Sequence, residues 1–133
     1  MGCILKAYLD SSAVLDLLDP GSLRHEQAKR TLEIEPRTWC VSDLVRLECL
    51  IRPIRAKNRE AETEVREVLG KMECLSITSS AYDGAANLRA EFGLRTPDAI
   101  HLATALTSEC VEFWTNDEKL LRVSAGIVFR TFA

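Results

Sequence analysis

Four acidic residues carry the chemistry this sequence offers: Asp10 in "YLDSSA", Glu48 in "VSDLVRLECLI", Asp98 in "RTPDAIHLATA" and Asp117 in "WTNDEKL". Glu48 demands an explanation first. Read at about 100° per residue, Leu44, Leu47 and Ile51 fall on one helical stripe, and Glu48, four residues after Leu44, joins that apolar face. A lone buried carboxylate is costly unless it is paired, protonated or bound to a metal. Four carboxylates brought together would repel one another and push up their pKa values. A hard divalent cation removes that conflict. Mg²⁺ and Mn²⁺ prefer oxygen ligands, and Mg²⁺ binds only a few carboxylates and keeps several waters. One or two such ions, about 4 Å apart where there are two, serve phosphodiester hydrolysis. No His/Cys set with zinc spacing competes, since the histidines are only His25 and His101.

Three of the acids also have a purely structural use. Asp10 can cap the helix that follows it. Asp98 sits in a first helical turn, where the macrodipole and free N–H groups favour it, and Asp117 can open its own helix likewise. Capping does not explain Glu48 at mid-helix. Among the neighbours, Ser11 and Ser12 can cap the first helix, and Thr115 ends a strand with its hydroxyl near the site. Asn116 can orient Asp117, position a metal water or make a turn. His101 lies three residues after Asp98 and shares its helix face, and it reads as a hydrogen-bonded histidine packed near the core. Arg95 reads as solvent-exposed. Asp16, Asp19, Asp43 and Asp83 fall at helix ends or on faces that look solvated, and take no chemistry.

The elements that must position these acids alternate along the chain. Strands are expected over 3–9, 38–41, 73–77, 111–115 and 127–132. Helices are expected over 11–18, 22–34, from Ser42 to Pro53, 58–72, 80–92, 96–108 and 117–123. Ser22, Ser42 and Thr96 are candidate N-caps, Pro97 suits a first helical position, Gly93 a helix end, and Pro53 should end or kink its helix. About five strands, apolar nearly throughout and separated by helices, imply an α/β fold. Its plan is a three-layer α/β/α sandwich around a mostly parallel sheet. In such sheets ligands gather outside the carboxyl ends of the strands, at a switch point in strand order. Asp10 and Asp117 directly follow strands and so land there.

The bulk properties agree with this plan. At 133 residues the chain is most simply one domain, 1–133, able to bury roughly two thirds of its unfolded surface. Hydrophobic residues at 47% and charged residues at 28% suit a globular protein, and the longest apolar runs fall far short of the ~18 residues of a membrane helix. Five singly scattered cysteines with no C-x-x-C pair, and no signal-peptide pattern, point to small buried thiols in a reducing, cytoplasmic setting. The start "MGCILK" has Lys6 where a lipidation motif wants Ser or Thr, so lipidation is not expected. The net charge of −3 excludes a broadly basic surface but not a local one. Arg46, Arg52, Arg55, Lys57 and Arg59 form a basic run, read either as a solvated helix face or as a footprint for phosphates.

"YLDSSA", "SDLVRLE", "TPDAIHLATA" and "TNDEKL", in this order and at these distances, resemble the PIN-domain ribonucleases, most closely the VapC-type toxins of bacterial toxin–antitoxin pairs. "TPDAIHLATA" is the most specific piece, and the resemblance covers essentially the whole chain. It implies that Asp10, Glu48, Asp98 and Asp117 line an Mg²⁺/Mn²⁺ site that hydrolyses single-stranded RNA. It gives Ser11 an alternative place beside the metal or its waters. It also implies a homodimer and an antitoxin partner (VapB-like) that inserts a C-terminal segment across the site, often with an Arg among the acids. The helices on either side of Pro53 are a candidate docking groove. Three rivals remain: a PIN nuclease of RNA maturation, a non-catalytic binding domain, and a receiver-like domain. The last needs an Asp after the third strand, where this chain has Thr78-Ser79-Ser80, and a Lys after the last.

Overall fold

The computed structural model describes residues 4–132. The start of the first expected strand, Cys3 included, and the lipidation motif's Gly2 lie outside the described residues. The elements are β1 (Leu5–Leu9), α1 (Ser11–Leu18), α2 (His25–Ile34), β2 (Arg37–Ser42), α3 (Asp43–Arg55), α4 (Arg59–Gly70), β3 (Glu73–Leu75), α5 (Ser79–Phe92), α6 (Thr96–Thr107), β4 (Glu112–Trp114) and β5 (Val128–Arg130). The expected helix over 117–123 is reduced to one 3₁₀ turn, Leu120–Arg122.

The five strands pair in the order β3-β2-β1-β4-β5, every pair parallel. Each parallel pair needs a crossover, and a right-handed crossover puts its helices on the face set by the direction of travel. The chain moves outward from β1 to β3 through α1–α4. It then returns across the sheet through α5 and α6 to β4. The two directions place α1–α4 in one layer and α5–α6 in the other. The order reverses between β1 and β4, so the crevice expected for a ligand opens where those two strands end.

Central β1 is apolar because both its faces are covered: Ala7, Tyr8 and Leu9 are fully buried. Tyr8 stacks on Phe113, its register partner on β4, with centroids 5.3 Å apart. On the opposite face the small Ala7 lets Trp39 and Trp114 meet edge to face at 5.5 Å. Glu112 breaks the apolar pattern of β4. It is buried, and Arg37, Arg130 and the Trp114 indole N–H all bond to its carboxylate. These donors hold its pKa below the usual range against the cost of burial.

Several local readings shift by a residue. Gly93 does end α5 in the left-handed region, with φ 67°. The cap of α6 is Arg95 rather than Thr96, so Pro97 stands one position later than expected. Arg24 rather than Ser22 precedes α2, and Ser42 precedes α3 without a side-chain cap because its hydroxyl turns to Tyr8. α3 runs two residues beyond Pro53, to Arg55. Asp16, read from sequence as solvated, is 3% exposed and takes hydrogen bonds from Ser22, Arg24 and Asn116. Cys40, Cys49 and Cys110 are buried as expected, whereas Cys74 is exposed. No helix among the described residues is long and apolar enough to cross a membrane.

The phase of α3 also differs from the sequence reading. Its buried stripe is Val45, Cys49 and Leu50, while Leu47, Ile51 and Ile54 are 56%, 43% and 52% exposed. α3 packs against α1 and β2. The bulkier leucine–isoleucine stripe is left outside. Glu48 therefore flanks the buried stripe instead of interrupting it.

Candidate active site

Asp10 stands one residue past β1, with its N–H bonded to the Trp114 carbonyl of β4, and so sits in the crevice at the reversal of strand order. It caps α1 after all: Oδ1 accepts from the Ala13 N–H at 3.0 Å and from Ser12 Oγ at 2.7 Å. The residue is only 5% exposed. Burial raises its pKa, and the Ser12 and Thr115 hydroxyls and the Ala13 N–H oppose that rise. Capping and a site role are thus compatible in one carboxylate.

The neighbouring hydroxyls knit the crevice together. Ser12 Oγ also accepts from the Asn116 N–H, and Thr115 Oγ1 accepts from the Asp117 N–H. Asn116 does not reach toward the acids. Its side-chain amide donates to the Ser12 carbonyl and to Asp16, and its oxygen accepts from Thr131, so it braces the loop after β4 against α1. That loop carries Asp117, whose Oδ1 accepts from the Lys119 N–H.

Glu48 is bound from two other elements. Ser11 Oγ donates to its Oε1 at 2.6 Å, and His101 Nε2 lies 2.5 Å from the same oxygen. Burial raises the pKa of Glu48, but His101 and Ser11 outweigh it and the net shift is downward. His101 is thus the buried, hydrogen-bonded histidine expected from the sequence, and the acid it meets is Glu48 although its face of α6 is shared with Asp98. Asp98, one turn earlier on that helix, is met by Arg95 Nε at 3.3 Å. Each acid has a partner of its own. Among the described residues no three His, Cys, Asp or Glu side chains stand close enough to form a ready-made metal cage.

A family model described as the PIN domain matches residues 7–126. The chain belongs to the PIN domain family. This PIN domain resembles a toxin–antitoxin complex from Klebsiella pneumoniae, with TM-score 0.74 and 29% identity over 92% of this chain and 95% of that one. It shares its fold with VapBC2 from Rickettsia felis bound to a promoter DNA fragment (TM-score 0.76, 13% identity, 96% and 98% of the chains covered). It shares it also with the Mycobacterium tuberculosis toxin VapC20, described as cleaving the sarcin–ricin loop (TM-score 0.74, 16% identity, 92% and 98% covered). No curated protein matches the sequence.

The donors of this PIN domain suit a hard cation. Asp10, Glu48, Asp98, Asp117 and the flanking hydroxyls are all oxygen groups, and both ring nitrogens of His101 are already engaged. The buried Asp10 carboxylate lacks a cationic hydrogen-bond partner among the described residues, which is the position a divalent ion would relieve. An ion that keeps several waters needs only one or two carboxylates, so the spacing of the acids does not conflict with it. Sequence reasoning read Ser12 as a helix cap and His101 as a hydrogen-bonded core histidine, and missed their contacts to Asp10 and Glu48. The partner of His101 lies on another helix, beyond any local pattern.

Proposed function

We propose that this PIN domain is an Mg²⁺- or Mn²⁺-dependent endoribonuclease that cleaves single-stranded RNA, acting as the toxin of a type II toxin–antitoxin pair. The observation that carries the reading is Asp10, a buried carboxylate at the β1/β4 switch point with no cationic hydrogen-bond partner among the described residues. Asp10, Asp98 and Asp117 would hold one or two ions, which supply charge stabilisation for phosphodiester hydrolysis. Glu48, kept ionised by His101 and Ser11, serves as a further ligand or orients the attacking water. Ser12 and Thr115 hold Asp10 in place.

RNA would lie over the acids, with basic side chains on its phosphates. The last turn of α4 lies beside the first turn of α3, around Asp43, Arg46 and Leu69, so the two helices form an antiparallel arm. Arg55, Lys57 and Arg59 lie at its tip. That tip is about 10 Å beyond Glu48 at 1.5 Å per residue.

The proposed partners fit two apolar surfaces. A groove of about 520 Å³ between α1–α2 and α4 is lined by Leu17, Leu32, Trp39, Val68 and Met72. In it the buried Trp39 indole N–H has no acceptor among the described residues. An antitoxin segment lying there would cover the apolar walls and offer a backbone carbonyl to that N–H. The sequence had suggested α3 and α4 for this role, and only α4 is shared. The exposed stripe of α3, with Ile77 and Tyr82 beside it, suits a second copy of the chain.

The test is cleavage of single-stranded RNA by the purified protein with Mn²⁺, with EDTA, and in Asp10→Asn. Cleavage that needs the metal and disappears in the mutant supports the proposal, and cleavage in EDTA or by Asp10→Asn overturns it. Growth arrest on expression, relieved by a co-expressed antitoxin, would separate the toxin role from RNA maturation.

A further inference from the structure

Behind Glu48 lies a hydrogen-bonded chain that crosses the core. His101, 2% exposed, uses both ring nitrogens: Nε2 meets Glu48 Oε1, and Nδ1 meets Tyr8 Oη at 2.7 Å. Tyr8 Oη in turn meets Ser42 Oγ at 2.8 Å. Tyr8 is fully buried, and its ring is fixed against Phe113 on one side and tilted against His101 on the other.

The direction of this chain follows from its donors. Burial pushes the Tyr8 pKa far up, so the phenol keeps its proton. A carboxylate has no proton to give, so His101 Nε2 must carry the hydrogen toward Glu48. In a neutral imidazole Nδ1 then accepts, and the Tyr8 O–H supplies that bond. Ser42 donates to the phenolic oxygen. Every link has one donor and one acceptor, and no ionised imidazole is needed.

At its far end the chain saturates one oxygen of Glu48. Oε1 accepts from both His101 Nε2 and Ser11 Oγ, from α6 and from the first residue of α1. Tilting the carboxylate out of this position would break both bonds, and a half-turn only exchanges two equivalent oxygens. We propose that His101, backed by Tyr8, is a positioning residue that locks Glu48 so that only Oε2 is presented to the metal site. α6 would then serve the site twice, through Asp98 and through His101 one turn later. This inference rests on the metal-dependent reading of the site.

The test measures Mn²⁺ affinity by calorimetry alongside RNA cleavage and thermal melting. His101→Leu removes the bond to Glu48, and His101→Gln can restore an N–H near the Nε2 position. Loss of such an outer partner commonly lowers metal affinity or activity about 10- to 100-fold. A loss of that size is expected in His101→Leu, with most of it recovered in His101→Gln. A histidine that only fills space would show no rescue of metal affinity by Gln. Tyr8→Phe provides the second arm, because it keeps the ring packing and deletes one hydroxyl. Nitrogen NMR should find the Nε2–H tautomer in the wild type and a changed Nδ1 signal with weaker Mn²⁺ binding in Tyr8→Phe. Wild-type Mn²⁺ affinity in a folded His101→Leu, or, should that variant not fold, in Tyr8→Phe, would overturn the proposal. That result would leave the nuclease reading standing as long as Asp10→Asn is inactive. A wild type that neither binds Mn²⁺ nor cleaves RNA would sink both.

Discussion

At Asp10, the proposed function and folding oppose each other. Burial raises its pKa, so the folded chain holds that proton more tightly than the unfolded chain does. Above the unfolded value, the charge therefore lowers stability, and the loss is relieved as the pH falls through the raised value. Asn at this position keeps an oxygen for the Ala13 N–H and removes the charge. Asp10→Asn is thus expected to melt at a higher temperature than wild type in EDTA at pH 7, while losing RNA cleavage by more than the roughly 100-fold typical of an outer-shell residue. Differential scanning calorimetry and a cleavage assay on the same samples check both halves. The sequence made Asp10 legible, because an Asp directly after an apolar strand points to the crevice. It left capping and chemistry as alternatives, although the two oxygens of one carboxylate can divide those tasks. His101 is the buried, hydrogen-bonded histidine that the sequence suggested, but its partner was not legible. Its i+3 spacing pointed to Asp98 on its own helix, while the acid it binds comes from α3, 53 residues away. Glu48→Gln keeps the shape and can still accept from Ser11 and His101, yet it lacks the charge. It should fold normally and bind Mn²⁺ more weakly, and unchanged affinity would make Glu48 a structural residue.

Elements hold the acids through contacts the sequence pattern does not display. The loop after β4 is only partly helical, because Asn116 spends its side chain on α1 and Thr131 instead of turning toward the acids. Asp16 shows the same effect, since a helix-end acid that looked solvated anchors that brace and also binds Arg24. Removing the Asn116 amide leaves the half-buried Ser12 carbonyl and the Asp16 carboxylate each short of a donor. Asn116→Ala is expected to cost about 1–3 kcal/mol in urea unfolding. It should also reduce cleavage, since Asp117 follows directly in the loaded loop. A variant that loses stability but keeps full activity would show that the brace does not position Asp117. The strands, the parallel sheet and most helix bounds were legible because buried parallel strands read as apolar runs between Pro, Gly and polar breaks. The phase of α3 was not. Two apolar stripes run along it, Val45–Cys49 and Leu47–Ile51–Ile54, and hydrophobic periodicity alone does not rank them. Packing in the folded chain does, and it buries Val45, Cys49 and Leu50.

For the whole molecule, the unpacked stripe of α3 is the feature with the widest consequence. Leu47, Ile51 and Ile54 are bulky, adjacent and exposed, and they continue into Ile77 and the 54% exposed Tyr82 of α5. A contiguous apolar surface of this kind on a small domain usually marks an interface. Its borders carry Asp43, Arg46 and Arg55, so a two-fold copy could set acidic and basic rim residues against each other. A stable dimer buries about 800 Å² per partner. The wild-type chain of 14.9 kDa is therefore expected to sediment at twice that mass. Ile54→Glu lies two turns from Glu48, toward the arm's tip, and so alters the stripe without touching the acids. It should give a folded monomer with unchanged Mn²⁺ affinity, whose melting temperature, unlike that of the wild type, does not rise with protein concentration. Analytical ultracentrifugation of the two proteins decides the matter. A wild type already monomeric at tens of micromolar, or a mutant that stays dimeric, would take the second copy off this face and leave α3 open to a different partner.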